Sequence, residues 1–146
     1  MALLSSEMLH ASTVAIDGRA VLIEGLSGSG KSDLALRLID RGAALVSDDY
    51  TLVKREKNRL LATAAPNIAG KIEVRGLGII EMSNVEDVPV GLVVTLGDMV
   101  ERIPPGDITR KIAGVAVPVI ALNGLEGSAP VKVELALRQF GLPHPA

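Results

Sequence analysis

An α/β fold, rich in strands and poor in helices, is what this sequence predicts, and three features predict it. Short aliphatic and β-branched runs recur along the 146 residues, most of them bounded by glycines or by Asp-Gly and Lys-Asn turns. Only two stretches carry helical periodicity, 33–42 and 127–141. The first of these is joined to a strand-like run, "AVLIE", by the glycine-rich octapeptide Gly25–Ser32. Strand and helix do not alternate regularly, so a doubly wound sheet is not expected.

In chain order, "STVAIDGRAVLIEG" predicts two strands around a tight turn at Asp17-Gly18, since Asp-Gly suits a two-residue hairpin loop. "DLALRLIDRG" predicts a helix, with Leu34, Leu38 and Arg41 on one stripe and Ala35 and Ile39 beside it. Gly42 stands where a helix-ending glycine belongs. "AALVS" has the character of a short buried strand, and it runs into Asp48 and Asp49. "YTLVKREKNRLLATAA" predicts a second hairpin, turning near Lys57-Asn58 and solvated on one face. "KIEVRGLGIIEM" is β-like, and its Gly76 and Gly78 predict a bulge or a close backbone approach. "VGLVVTLGD" is a strongly apolar strand, and "ITRKIAGVAVPVIAL" reads as two more strands. "GSAPVKVELALRQFG" predicts the last helix, with Ser128 as N-cap and Gly141 closing it.

Composition bounds the rest. One domain over residues 1–146 is expected, and a chain of this size buries roughly two-thirds of its unfolded surface. Tyr50 and Phe140 are the only aromatic residues of their kinds, so the core is aliphatic and stacking on bases is a poor binding strategy here. A formal net charge of −2, without a basic block, argues against nucleic-acid binding. The chain has no cysteine, which removes disulfides, thiolate chemistry and cysteine metal sites. Charged residues interrupt every long apolar run, and the N-terminal residues lack the positive flank of a signal peptide. The expected location is the cytoplasm, with no membrane association.

Gly25-Leu26-Ser27-Gly28-Ser29-Gly30-Lys31-Ser32 matches the phosphate-loop pattern at every position, with a strand entering it and a helix leaving it. Its glycines let successive N–H groups face one anion. The helix N-terminus adds roughly half a positive charge. Lys31 suits the β- and γ-phosphates of ATP, and the Ser32 hydroxyl suits Mg²⁺. Such a loop still needs a carboxylate for the metal and a group to orient the nucleophile. Asp48 and Asp49 stand at a strand end, the edge where ligands sit in open α/β sheets. One of them could serve the Mg²⁺ shell and the other could accept a proton from an incoming hydroxyl. An ordinary polar turn would use the same residues.

Taken together, these motifs resemble the catalytic domain of the HPr kinase/phosphorylase family. The resemblance rests on the phosphate loop, the Asp-Asp pair at its spacing, and the run Glu73-Val74-Arg75-Gly76-Leu77-Gly78-Ile79-Ile80. His10, before the loop, belongs to the same pattern, and the likeness covers roughly residues 8–122. It implies that Asp48 is the general base toward a serine hydroxyl of the phosphocarrier protein HPr, and the acid in the reverse reaction. It implies that Glu73 joins Ser32 in holding Mg²⁺, and that Asp49 supports the metal or orients Asp48. Lys31, His10 and Arg75 complete the implied catalytic set, with Arg75 and its glycines shaping the loop near the transferred phosphate. ATP is the implied donor and a hexamer the implied assembly. The family's common form carries a further N-terminal domain, so this chain resembles a short form. It departs from the family after Ile120, where a basic turn is expected and no basic residue precedes Lys132. Arg102 is a possible match to a further family arginine. Competing readings are a small-molecule kinase of the phosphate-loop class and a nucleotide-sensing module without phosphotransfer. The first is disfavoured by the lack of an arginine-rich lid, the second by the aspartate pair.

Overall fold

The computed structural model describes residues 5–98, 100–101 and 107–144. Arg102 lies outside the described residues. Three strands precede the first helix: β1 (Ser6–Leu9), β2 (Ser12–Ile16) and β3 (Arg19–Glu24), then α1 (Lys31–Asp40). After it come β4 (Ala44–Ser47), β5 (Thr51–Glu56), β6 (Arg59–Thr63), β7 (Lys71–Val74), β8 (Gly78–Glu81), β9 (Val88–Leu96) and β10 (Thr109–Ile112). The last strand, β11 (Val115–Leu122), leads to α2 (Ala129–Phe140). The strand-rich α/β expectation holds. The unpredicted element is β1, an edge strand that pairs antiparallel with β5 on one side alone and carries no strong apolar alternation.

The main sheet runs β1-β5-β6-β9-β3-β2-β4, with β11 also paired to β9 and β10 to β11. β3, β9 and β11 are mutually parallel. β2 is antiparallel to both β3 and β4, so β4 points the same way as β3. The carboxyl ends of β3, β4, β9 and β11 therefore share one edge of the sheet. β7 and β8 form a separate two-stranded ribbon.

Both faces of the sheet are buried, but differently. One packs against α1, α2 and the ribbon, around Val21, Ile23, Leu34, Leu38, Ile72 and Leu137. The other is lined by strands alone, around Ala20, Leu22, Val53, Leu60, Val93 and Val117. β3 alternates between the two faces with the period of a strand. Opposite it, the register shifts between Ala20↔Val90 and Val21↔Leu92, so β9 carries Gly91 as an extra residue. That shift changes the phase of β9: Val88 and Val90 serve the all-strand face, whereas Leu92, Val94 and Leu96 serve the helical face. A side chain at 91 would meet Leu137 at 3.0 Å, which favours glycine there.

The hairpin at Asp17-Gly18 forms, with φ of 50° and 77° at its two central residues. Gly42 ends α1 in the left-handed region at φ 109°. Its N–H bonds Ile39 and that of Ala43 bonds Leu38, a pair that satisfies the last carbonyls of the helix. One glycine expectation needs correction, whereas Gly141 and Ser128 stand at the two ends of the last helix as expected. Gly76 and Gly78 mark neither a bulge nor a close approach. Gly76 lies in the turn between β7 and β8 and Gly78 opens β8, at φ 90° and 93°, with open space where a side chain would go. Gly141 closes α2 in extended backbone, and is required because a Cβ would lie 2.5 Å from the Leu137 carbonyl oxygen. Ser128 occupies the N-cap of α2 but makes no side-chain cap bond. No helix among the described residues is long and apolar enough to cross a membrane.

Candidate active site

The octapeptide loop leaves the end of β3 and enters α1 directly at Lys31. Gly28 and Gly30 adopt φ of 84° and 96°, where any other residue is strained. Gly25 serves by closeness instead, because a Cβ there would sit 2.5 Å from Ser29 Oγ. That hydroxyl is buried and has no hydrogen-bond partner among the described residues. Leu26 and Ser27 stand exposed at the loop's crest. Lys31 is buried, and its ammonium donates to the carbonyls of Gly25 at 2.9 Å and Leu26 at 3.3 Å. It is thus held inside the loop it would serve. Gly30 caps α1 without a side-chain bond, so the first-turn N–H groups of the helix keep the unsatisfied, positively polarised character that suits an anion. At the loop's base, Glu24 receives both terminal nitrogens of Arg110. That paired bond raises the Arg110 pKa above its ordinary value and fixes the β10–β11 hairpin to the strand that carries the loop.

Across from the loop, the shared strand edge brings together residues from four separate segments. Asp48 is buried and accepts three hydrogen bonds. Ser12 and Ser32 each donate to Oδ1 at 2.7 Å, and the Glu73 N–H donates to Oδ2 at 2.9 Å. Asp48 therefore ties the second residue of α1 to both β2 and the ribbon. Ser12 is fully buried, and its hydroxyl also accepts the Asp49 N–H at 3.2 Å. Nothing in the sequence singled out Ser12, which with Thr13 opens a strand that is apolar from Val14 onward.

Asp49 faces the other way. Its φ is 70°, and the Tyr50 N–H bonds the Asp48 carbonyl at 2.8 Å, closing a three-residue turn with Asp49 at its apex. Such a γ-turn is rare and strained, on the order of 1–3 kcal/mol for a non-glycine residue. His10 sits at the apex of a second three-residue turn, closed by Ala11 N–H to Leu9 C=O at 3.0 Å. The two apices meet, with His10 Nε2 2.9 Å from Asp49 Oδ1, both side chains about half exposed. Tyr50 stacks on the imidazole with ring centroids 4.9 Å apart and so limits its orientation.

Glu73 is exposed on β7, next to Asp48 through its own backbone. Ser32, Asp48 and Glu73 present only hydroxyl and carboxylate oxygens, the hard donors that Mg²⁺ takes. The described residues hold no cluster of three or more His, Cys, Asp or Glu able to bind a metal by themselves. Arg75 follows Glu73 by two residues. It lies exposed at the ribbon turn, with no hydrogen bond or ion pair among the described residues.

The glycine-rich loop between a parallel strand and a helix, with the buried Asp48 carboxylate accepting from the helix's second residue, matches the arrangement that the phosphate-loop sequence pattern describes. The family model described as the HPr Serine kinase C-terminal domain matches residues 1–142, and the chain belongs to that family. Curated relatives include an HPr kinase/phosphorylase of Lacticaseibacillus casei strain BL23, 36% identical over 90% of this chain and 46% of that protein. Another, from Chlorobium phaeobacteroides strain DSM 266, is 34% identical over 94% of this chain and 48% of that protein. The chain spans about half the length of the curated relatives it matches. Among solved structures, the Hpr(Ser) kinase/phosphatase from Coxiella burnetii aligns with a TM-score of 0.79 at 33% identity. That alignment covers 90% of this chain and 94% of the other.

Proposed function

We propose that this chain transfers the γ-phosphoryl group of ATP to a serine hydroxyl of HPr. The observation that carries the reading is the split of the aspartate pair. One carboxylate is buried against Ser32 of the phosphate loop, and its neighbour is turned outward beside a histidine. Lys31 and the loop N–H groups hold the β- and γ-phosphates. Ser32, Asp48 and Glu73 are the residues suited to hold Mg²⁺, which when bound neutralises phosphate charge. Asp49 accepts the proton of the attacking hydroxyl. The serine oxygen bonds the γ-phosphorus, the bond to the β–γ bridging oxygen breaks, and ADP leaves with that oxygen. In the phosphorolytic direction, inorganic phosphate attacks the phosphoserine and Asp49 returns the proton to the serine oxygen as pyrophosphate forms. His10 orients the Asp49 carboxylate.

This division of labour exchanges the roles that the resemblance implied for the two aspartates. Asp48 is committed to three donors and buried, which suits a metal carboxylate locked in place. Asp49 is exposed and held by strained backbone, which suits a group that must meet a macromolecular acceptor. The reading carries with it a cytoplasmic location and a hexamer, the latter checked by light scattering. The test is incubation with ATP–Mg²⁺ and purified HPr, read by intact-protein mass, beside a panel of small alcohols and acids. One phosphoryl group on HPr is expected. Phosphate appearing on metabolites and never on HPr would overturn the reading.

A further inference from the structure

We infer that the turn after β11, residues 123–127, is the wall on which the nucleoside of a bound nucleoside triphosphate rests, with Leu125 its apolar contact and Arg37 its positioning residue. The inference rests on the phosphate-loop reading and adds the part of the ligand that the loop does not hold.

Direction comes from the sheet order. The parallel edge places β4 with Asp48 and Asp49 on one side of β3, and β9 and β11 on the other. A triphosphate lying along the loop with its γ-phosphate toward the aspartates must send its nucleoside the opposite way. That path leads over the ends of β9 and β11. The turn at 123–127 stands there and touches the loop itself, since a Cβ on Gly30 would lie 3.2 Å from Leu125 Cδ2.

The turn is also held unusually firmly for a surface segment. Arg37, on α1, donates to the carbonyls of both Gly124 and Glu126, and its Nε pairs with Asp33 at 3.0 Å. Asn123 Oδ1 accepts the Leu125 N–H at 3.0 Å, and Glu126 pairs with Lys132 at 2.6 Å. Gly124 packs so closely on Leu96 that a Cβ would come within 2.8 Å of it. Yet Leu125 at the crest is 71% exposed. A lone exposed leucine is ordinary on a surface. One fixed by a guanidinium bridge against the phosphate loop is a prepared apolar contact. An aliphatic wall also fits a chain with one Tyr and one Phe, which cannot build an aromatic platform on this side of the loop.

The test compares ATP with inorganic tripolyphosphate, both with Mg²⁺, by calorimetry on the full chain. The wild-type protein should bind ATP more tightly than tripolyphosphate. Leu125→Ser, at an exposed position that leaves folding intact, should weaken ATP by about tenfold, the loss of part of one leucine contact, and leave tripolyphosphate unchanged. Arg37→Gln should reproduce that split more weakly by loosening the turn. Equal loss for both ligands, or undiminished ATP binding in Leu125→Ser, overturns the inference while leaving the loop reading intact. Failure of the wild-type protein to bind either ligand overturns both.

Discussion

The phosphate loop and the acidic corner lie on the same sheet edge, yet they are built in opposite ways. The loop is local: eight consecutive residues whose glycines, lysine and serine each have a backbone or phosphate reason to be there. The corner is assembled from His10, Ser12, the Asp48–Asp49 turn and Glu73, which meet only because β2, β4 and the ribbon converge. The difference teaches what each can tolerate. The loop's conformation depends on its own φ values. The corner's depends on hydrogen bonds between elements, and its two adjacent carboxylates end up in unlike surroundings because one strained residue turns the chain between them.

The sharpest way to break this comparison is to neutralise each aspartate in turn. Asp49→Asn should lower single-turnover phosphorylation of HPr by roughly 10²–10⁴-fold, the usual size of a general-base contribution, and added Mg²⁺ should not restore it. Asp48→Asn should instead shift the Mg²⁺ requirement upward, with transfer recovering at high metal. If Mg²⁺ rescues the first variant and not the second, the roles are the reverse of those proposed. For the loop, Lys31→Ala should cost about 1.5–3 kcal/mol of ATP affinity, read by titration calorimetry, since a charge-assisted contact is lost.

Stability should divide along the same line. Asp48→Ala leaves Ser12, Ser32 and the Glu73 N–H without their acceptor, and should destabilise the fold by about 1–3 kcal/mol in denaturant titrations. Asp49→Gly releases a positive φ and should raise stability by roughly 1 kcal/mol while abolishing transfer. A loss of stability in that variant would mean the His10 contact outweighs the backbone strain. The smallest effect should come far from both regions. Arg41 pairs with Glu134 at 2.8 Å between α1 and α2, and the paired bond raises its pKa, but the pair is open to solvent. Glu134→Gln should leave the melting temperature unchanged within error.

Much of this was legible in the residue string, and for local reasons. Gly28 and Gly30 announce left-handed backbone, Asp17-Gly18 a hairpin, and Gly42 a helix end, because each is decided by the φ preference of one or two residues. The loop's lysine and serine follow from the same short pattern. His10 and Glu73 joined the site only through a family resemblance, since their distance along the chain carries no contact information. Arg75 shared that resemblance, and it sits in the ribbon turn two residues after Glu73, whose N–H is held by Asp48.

What the sequence by itself determined is the residue types on offer and the elements that carry them: a glycine-rich loop of the phosphate-loop pattern, paired carboxylates at a strand end, and an aliphatic core. What only the tertiary structure decided is the surroundings of each carboxylate. The two aspartates are identical in type and adjacent in the chain, so no local preference separates them. They are distinguished by which distant donors arrive. Ser12, Ser32 and the Glu73 amide close around one, and His10 meets the other across a turn whose strain the surrounding sheet maintains. Such pairings depend on strand register and sheet order, and those are settled by burial over the whole chain rather than by any stretch of it.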